Sequence, residues 1–433
     1  MVGPRAYNRA CILGLLVFCA TAGAGLGRAQ SATYSVIPIA LPAGWTSAYA
    51  TAINNSGQFV GYLQNSSAQQ QAFFGTAAGI TPIPLPPGWP TPIPLPAGWP
   101  TSTARGINNS GQIVGNVSQN VTGQPQVFFG TVAGITPIPL PAGWMGSNAE
   151  GVNNLGQFVG VGDTNAVVSQ PFIGSAAGLT SIPLPAGWAA AVATGINDYG
   201  QITGYVDNYP PYASQAVIGT AAGLTPIALP AGLAWALATR INNSGQIIGY
   251  GWNGQAEQAF TGTATGITPI PLPKGWVSST ALGINNLGQV VGYIEDASDT
   301  MQAFIGNAAG TEPIPVPMGW TLSAAFAIND SGQIVAAGAN SSTGFSGIVI
   351  LTPAPVTGID LSQAPSYWTP LLTMLTDASN AQYPQGAPND SVTNPIGPLQ
   401  FVIAPAYAGV GGTPYPANQI LSTYQSAAQA LGL

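Results

Sequence analysis

The chain has 433 residues, of which six are Lys or Arg, thirteen are Asp or Glu and none is His. So few basic residues cannot track a phosphate backbone, which excludes nucleic acid as a partner. The missing imidazole excludes His-based triads and histidine metal ligands. Gly and Pro are abundant, yet 46% of the residues are apolar and they recur periodically, which excludes a disordered chain.

Residues 1–29 read as a secretory signal peptide. Arg5 and Arg9 form a basic start, Cys11 to Ala20 an apolar stretch, and small residues follow. The apolar run is short for a bilayer span, so no membrane span is expected after processing. Both cysteines, Cys11 and Cys19, fall in this segment, and the processed chain would carry no thiol. It would keep three basic residues, Arg105, Arg240 and Lys274, against thirteen acids, a net charge near −10. With almost no basic groups to protonate, tolerance of acidic surroundings is expected.

A phrase whose cleanest copy is GINNLGQVVGY, Gly283 to Tyr293, then recurs seven times. Its turn glycine falls at Gly57, Gly111, Gly156, Gly200, Gly245, Gly288 and Gly332. The period is about 44 residues except for the first interval of 54, where TPIPLPPGWP is followed at once by TPIPLPAGWP. That duplication is expected to form an extruded loop on the first blade. Each period carries four strand signals. In the sixth copy they are Ala281 to Asn285, Gln289 to Tyr293, Gln302 to Gly306 and Glu312 to Pro317. Gly288 stands where a turn needs positive φ, and a type I turn with a G1 bulge fits.

The fourth strand signal alternates proline with Ile or Leu, as in Pro269-Ile270-Pro271-Leu272-Pro273. Alternate prolines strip the donors from one edge, so such a strand is placed outermost. Polyproline II is the rival conformation. Four antiparallel strands per period predict a propeller blade. Tyr34 to Pro42 supplies a fourth strand with no earlier three, and the seventh copy has three strands and no fourth. The N-terminal strand is therefore expected to complete the last blade of an all-β, seven-bladed propeller spanning 33–351.

The pattern A-x-G-I-N-N-x-G-Q-I-V-G-Y followed by x-A-F resembles the HAF-type extracellular repeat family over roughly Ser35 to Ile350. The family's His-Ala-Phe is here Gln71-Ala72-Phe73, Gln258-Ala259-Phe260 and Gln302-Ala303-Phe304. The resemblance implies a secreted, propeller-like domain and no defined catalytic residues.

The repeated Asn, Gly and Gln read first as turn builders. Trp45, Trp99, Trp144, Trp188, Trp276 and Trp320 follow the proline ladder and are expected between blades, a sugar-stacking platform being the alternative. Leu233 takes that place in the fifth copy. Copies differ most in the loop between second and third strands, which holds Asp163, Asp207, Glu257, Glu295, Asp296 and Asp299 with Tyr209, Tyr212 and Trp252. These nine are the candidate ligand-binding residues, for a polyhydroxyl or cationic ligand, against the plain reading that loops tolerate charge. Glu295, Asp296 and Asp299 lack a calcium-loop pattern, and no metal or other cofactor is expected. Arg105 and Glu150, equivalent residues of neighbouring copies, are expected to approach each other or pair. Residues 352–433 form a small mixed C-terminal extension carrying no recognisable motif. The functional expectation is a secreted, non-catalytic repeat protein that binds an extracellular glycan or protein through the variable-loop face. Its alternatives are a carbohydrate-active hydrolase or lyase using loop carboxylates and a purely structural surface protein.

Overall fold

The computed structural model describes residues 34–85, 101–118, 124–164, 169–208 and 213–354. The expected signal peptide, most of the ten-residue duplication with Trp99, the chain beyond residue 354, and Tyr209 and Tyr212 lie outside them. Residues Tyr34–Thr352 form one compact unit. It is built of seven four-stranded antiparallel sheets, six of them paired in simple sequence order. The inner strands are Ser47–Ile53, Thr101–Ile107, Gly146–Val152, Ala190–Ile196, Trp235–Ile241, Trp276–Ile284 and Trp320–Ile328, opening blades 1 to 7. Blade 7 takes its outer strand from Tyr34–Pro38, which pairs with Phe345–Pro353. The ring is thus a seven-bladed β-propeller closed by the N-terminal strand.

The repeated phrase folds because one asparagine side chain does several jobs at once. In blade 1, Asn54 Oδ1 accepts the backbone N–H groups of Ser56 and Gln58, each at 3.0 Å. Gly57 N donates to Asn54 O at 3.0 Å, and Gly57 sits at φ 73°, a conformation that favours glycine. Asn54 Nδ2 donates to Gln58 Oε1 at 2.7 Å and to Asn108 O of blade 2 at 3.0 Å. One residue therefore builds a turn and bonds the next blade.

Blade interiors follow the strand alternation. Phe73, Phe128, Phe172, Phe260 and Phe304, from the third strands, are fully buried. Each crosses a second-strand glycine. A Cβ on Gly249 would overlap both the Leu237 carbonyl and the Phe260 ring, so that glycine permits close approach. The apolar clusters span neighbouring blades: Trp144 packs with Val114 and Val127 of blade 2 and Phe172 of blade 3. Trp45, Trp188, Trp276 and Trp320 likewise pack in clusters that join neighbouring blades, and Trp99 lies outside the described residues.

The outer strands differ from expectation in length. They are only four residues long in blades 1 to 6, as at Gly266–Pro269, and stop at the first proline of the ladder, or at Ser181 in its place in blade 3. One bond continues past it, Ile270 N to Ala259 O at 2.8 Å, repeated at Ile83, Ile138, Ile182, Ile227 and Ile314. The isoleucine donates inward, and the prolines that flank it on both sides in blades 1, 2, 5 and 6, and on one side in blades 3 and 4, have no N–H to extend the ladder. The edge placement holds, but the regular strand is shorter.

Candidate site in the axial channel

All seven inner strands carry a bulge at the same point, as between Ala104 and Gly106 or Ala149 and Gly151. The extra residue is Thr51, Arg105, Glu150, Thr194, Thr239, Leu282 or Phe326 in blades 1 to 7. Where it is threonine, the hydroxyl is tied between blades. Thr51 Oγ1 lies 2.9 Å from Ala104 O of the next blade and 3.2 Å from Val60 O of its own. Thr194 and Thr239 repeat this arrangement. In the other four blades no threonine is available for that bond. Arg105, Glu150, Leu282 and Phe326 line an axial channel of about 200 Å³, as does Thr51.

This channel gathers charge in a chain that has little. Arg105 and Glu150 face it from blades 2 and 3, and Arg240 joins them from blade 5. Arg240 stands at a position that is Gly or Ala in the other six blades. Its Nη1 donates to Thr239 O at 2.8 Å and lies 3.4 Å from Thr194 O. Burial makes the Arg240 guanidinium easier to deprotonate than usual, Glu150 opposes that shift, and Arg105 adds to it; a guanidinium remains charged near neutrality. Arg105 Nε is buried without a hydrogen-bond partner. Arg105 and Glu150, expected to approach each other or pair, both line the channel. Leu282 and Phe326, from blades 6 and 7, face the same channel from across the ring.

Polar rings close the far end. The seven asparagines equivalent to Asn54 each donate to the next blade's asparagine carbonyl at 2.9–3.0 Å, Asn329 to Asn54 included. The following residues, Asn55, Asn109, Asn154, Asp198, Asn243, Asn286 and Asp330, form a second ring. Each backbone N–H donates to the next Oδ1 at 2.8–3.0 Å. Asp198 Oδ2 also accepts the side-chain amides of Asn154 and Asn243, and Asp330 Oδ2 those of Asn286 and Asn55.

Burial raises the Asp198 carboxyl, but hydrogen bonds from the backbone and side chain of Asn154 and the side chain of Asn243 outweigh it and leave the group below its ordinary 3.8. A depressed carboxyl stabilises the fold above its unfolded-state value, and that contribution disappears as pH falls through the folded value. Melting temperature is therefore expected to hold from pH 7 to about 4 and to fall below that. Asp198→Asn should lose less across the acid window than the wild type. Parallel acid curves for the two proteins would remove the assignment.

The variable-loop residues are not brought together. Asp163 ends a strand of blade 3. Asp207 accepts Ser214 Oγ at 2.5 Å in blade 4. Trp252 and Glu257 belong to blade 5, and Glu257 Oε2 accepts Thr280 Oγ1 at 3.3 Å. In blade 6, Glu295 accepts Ser278 Oγ at 2.9 Å, and Asp296 accepts the N–H groups of Ser298 and Thr300. Asp299 turns through φ 61°. None of these seven lines the channel or its polar floor. Arg240, Leu282 and Phe326 were readable as departures from the repeat consensus, not as a motif.

Among the described residues no helix is long and apolar enough to cross a membrane. No protein-family model matches the chain, and no curated protein does either. Solved structures do. A prolyl endopeptidase is 10% identical, with 81% of this chain and 56% of that one covered and a TM-score of 0.48. A puromycin-hydrolysing peptidase of Mycobacterium tuberculosis is 10% identical over 73% of this chain and 54% of its own, TM-score 0.49. A putative TolB of Agrobacterium tumefaciens is 10% identical over 64% of this chain and 94% of its own, TM-score 0.41. The chain spans about half the length of the peptidases it matches. At these identities the likeness shows the fold alone. The expected glycan or protein binder acting through its variable-loop face, with its hydrolase, lyase and structural alternatives, is corrected here. The matches fall on peptidase and TolB structures, and the described loop acids lie along blades 3 to 6.

Proposed function

We propose that the protein is a secreted binding propeller that holds the C-terminal carboxylate of a short apolar peptide in its axial channel. The observation that carries this reading is Arg105, whose Nε is buried in the channel wall without a hydrogen-bond partner. A carboxylate satisfies guanidinium groups with charge-assisted bonds. Glu150 on the same wall accepts the amide N–H that precedes the terminal carboxylate. Leu282 and Phe326 cover the last side chain. A simple fatty acid has no N–H for Glu150 and fits less well. Secretion rests on the Arg5 to Ala29 signal pattern and on the HAF-type resemblance of the repeats.

The test is calorimetric titration with N-acetyl-alanyl-leucine and its C-terminal amide. The acid is expected to bind about tenfold or more tighter than the amide, as befits a charge-assisted bond of ~1.5–3 kcal/mol. Arg105→Gln should remove that preference. Equal binding of acid and amide, or binding of neither at millimolar concentration, would overturn the reading.

A further inference from the structure

We infer that a cleft between blades 7 and 1 is a binding site for one aromatic ring carrying a polar substituent, a phenol above all. This reading does not rest on the channel carboxylate reading, although Phe326 borders both spaces. The cleft has a volume of about 490 Å³, and no charged side chain lines it. Leu41, Ala48, Phe326 and Ile348 supply apolar walls, and Ser323 and Ser346 supply hydroxyls.

The repeat explains why the cleft exists. The second strand of blades 1, 4, 5 and 6 carries a tyrosine on the face turned to the next blade: Tyr62, Tyr205, Tyr250 and Tyr293. Blade 7 has Ala337 there, at the same place in the ladder, opposite Ala324 as Tyr62 is opposite Tyr49. Two residues on, at Ala339, the same face is again reduced to a methyl group. In blade 1 the Tyr62 ring stacks on Tyr49 at 5.0 Å, and in blade 5 Tyr250 meets Trp235 edge to face at 6.1 Å. The closing blade therefore has methyl groups where blade 1 stacks two phenol rings, and Ala337 lines the cleft left there. Tight interiors do not leave such space by default, and a concave apolar site with a few hydroxyls suits a small aryl ligand.

p-Cresol and N-acetyl-tyrosine amide are the probes, because neither carries a carboxylate for the channel. Binding to the full chain is read by calorimetry, with 4-methylcyclohexanol as the non-aromatic comparison. Both aryl probes are expected to bind at least about tenfold more tightly than the cyclohexanol. Ala337→Tyr, which restores the residue of four other blades, should cut aryl binding about tenfold or more and leave the melting temperature equal or higher. Ala339→Leu should show the same loss by a different side chain. Arg105→Gln should leave aryl binding unchanged, so failure of the channel reading and failure of this one give different results. Aryl binding unaltered in both filled variants, or no binding to the folded wild type at millimolar probe, would overturn the inference.

Discussion

Deleting residues 34–39 is expected to lower the unfolding free energy by about 5 kcal/mol, the order expected for exposing two buried side chains together with their neighbours. Tyr34 and Ile39 are buried at 4% and 3% exposure, and Val36 and Ile37 pack beside them. The deletion also bares the edge of Phe345–Pro353, which invites pairing with another chain. Urea denaturation should show a markedly lower midpoint, and size-exclusion chromatography should show association. The double variant Tyr34→Ser, Ile39→Ser tests the packing without removing the backbone. An unchanged midpoint in both would mean that the seventh blade is stable on three strands, and the closure described above would carry little of the stability.

Asn197→Ala is expected to destabilise the fold by about 3 kcal/mol, because it leaves two backbone N–H groups of the turn without their acceptor, at ~1–3 kcal/mol each, and removes a buried bond to the next blade. Asn197 Oδ1 accepts from Tyr199 N and Gln201 N, and its Nδ2 donates to Asn242 O of the next blade at 3.0 Å. Asn197→Asp keeps the acceptor and loses the donor, so it should retain the turn and weaken the joint between blades 4 and 5. Asn109→Ala in the exposed second ring removes a single acceptor, for Asn55 N, and should cost much less. A thermal or chemical midpoint for Asn197→Ala within error of that of Asn109→Ala would show that the inner ring does not hold the blades together.

The circular architecture was legible because it is written seven times. Four strand signals per period, an unmatched leading strand and a last copy lacking its fourth led to the blade count and the closure. The edge role of the proline ladder was legible for the same physical reason that later shortened it. A residue without an N–H cannot donate to a ladder, whether the strand continues or stops. The roles of Asn54 and its equivalents were only half readable. The turn was evident from Asn and Gly spacing, but the bond to Asn108 O needs two blades placed side by side. Arg240 escaped notice because it carries no motif; its meaning appears only when a bulge aims the neighbouring position at the axis. The acids of the variable loops misled in the opposite sense. Asp296 looked available for a ligand, and in the structure its carboxylate accepts Ser298 N and Thr300 N within its own turn. Ala337 is the subtlest case, since a missing ring has no signature except against the four tyrosines that share its place.

The pairing of Tyr34–Pro38 with the last blade bears on how the chain is made. Ser35 Oγ bonds to Thr352 O across 317 residues of sequence, and contacts that distant form late. During synthesis the first strand is produced before its partner exists and must wait, unpaired, until the ribosome has added almost the whole array. A chain with that order of events can lock its circle only after nearly the whole array has been made.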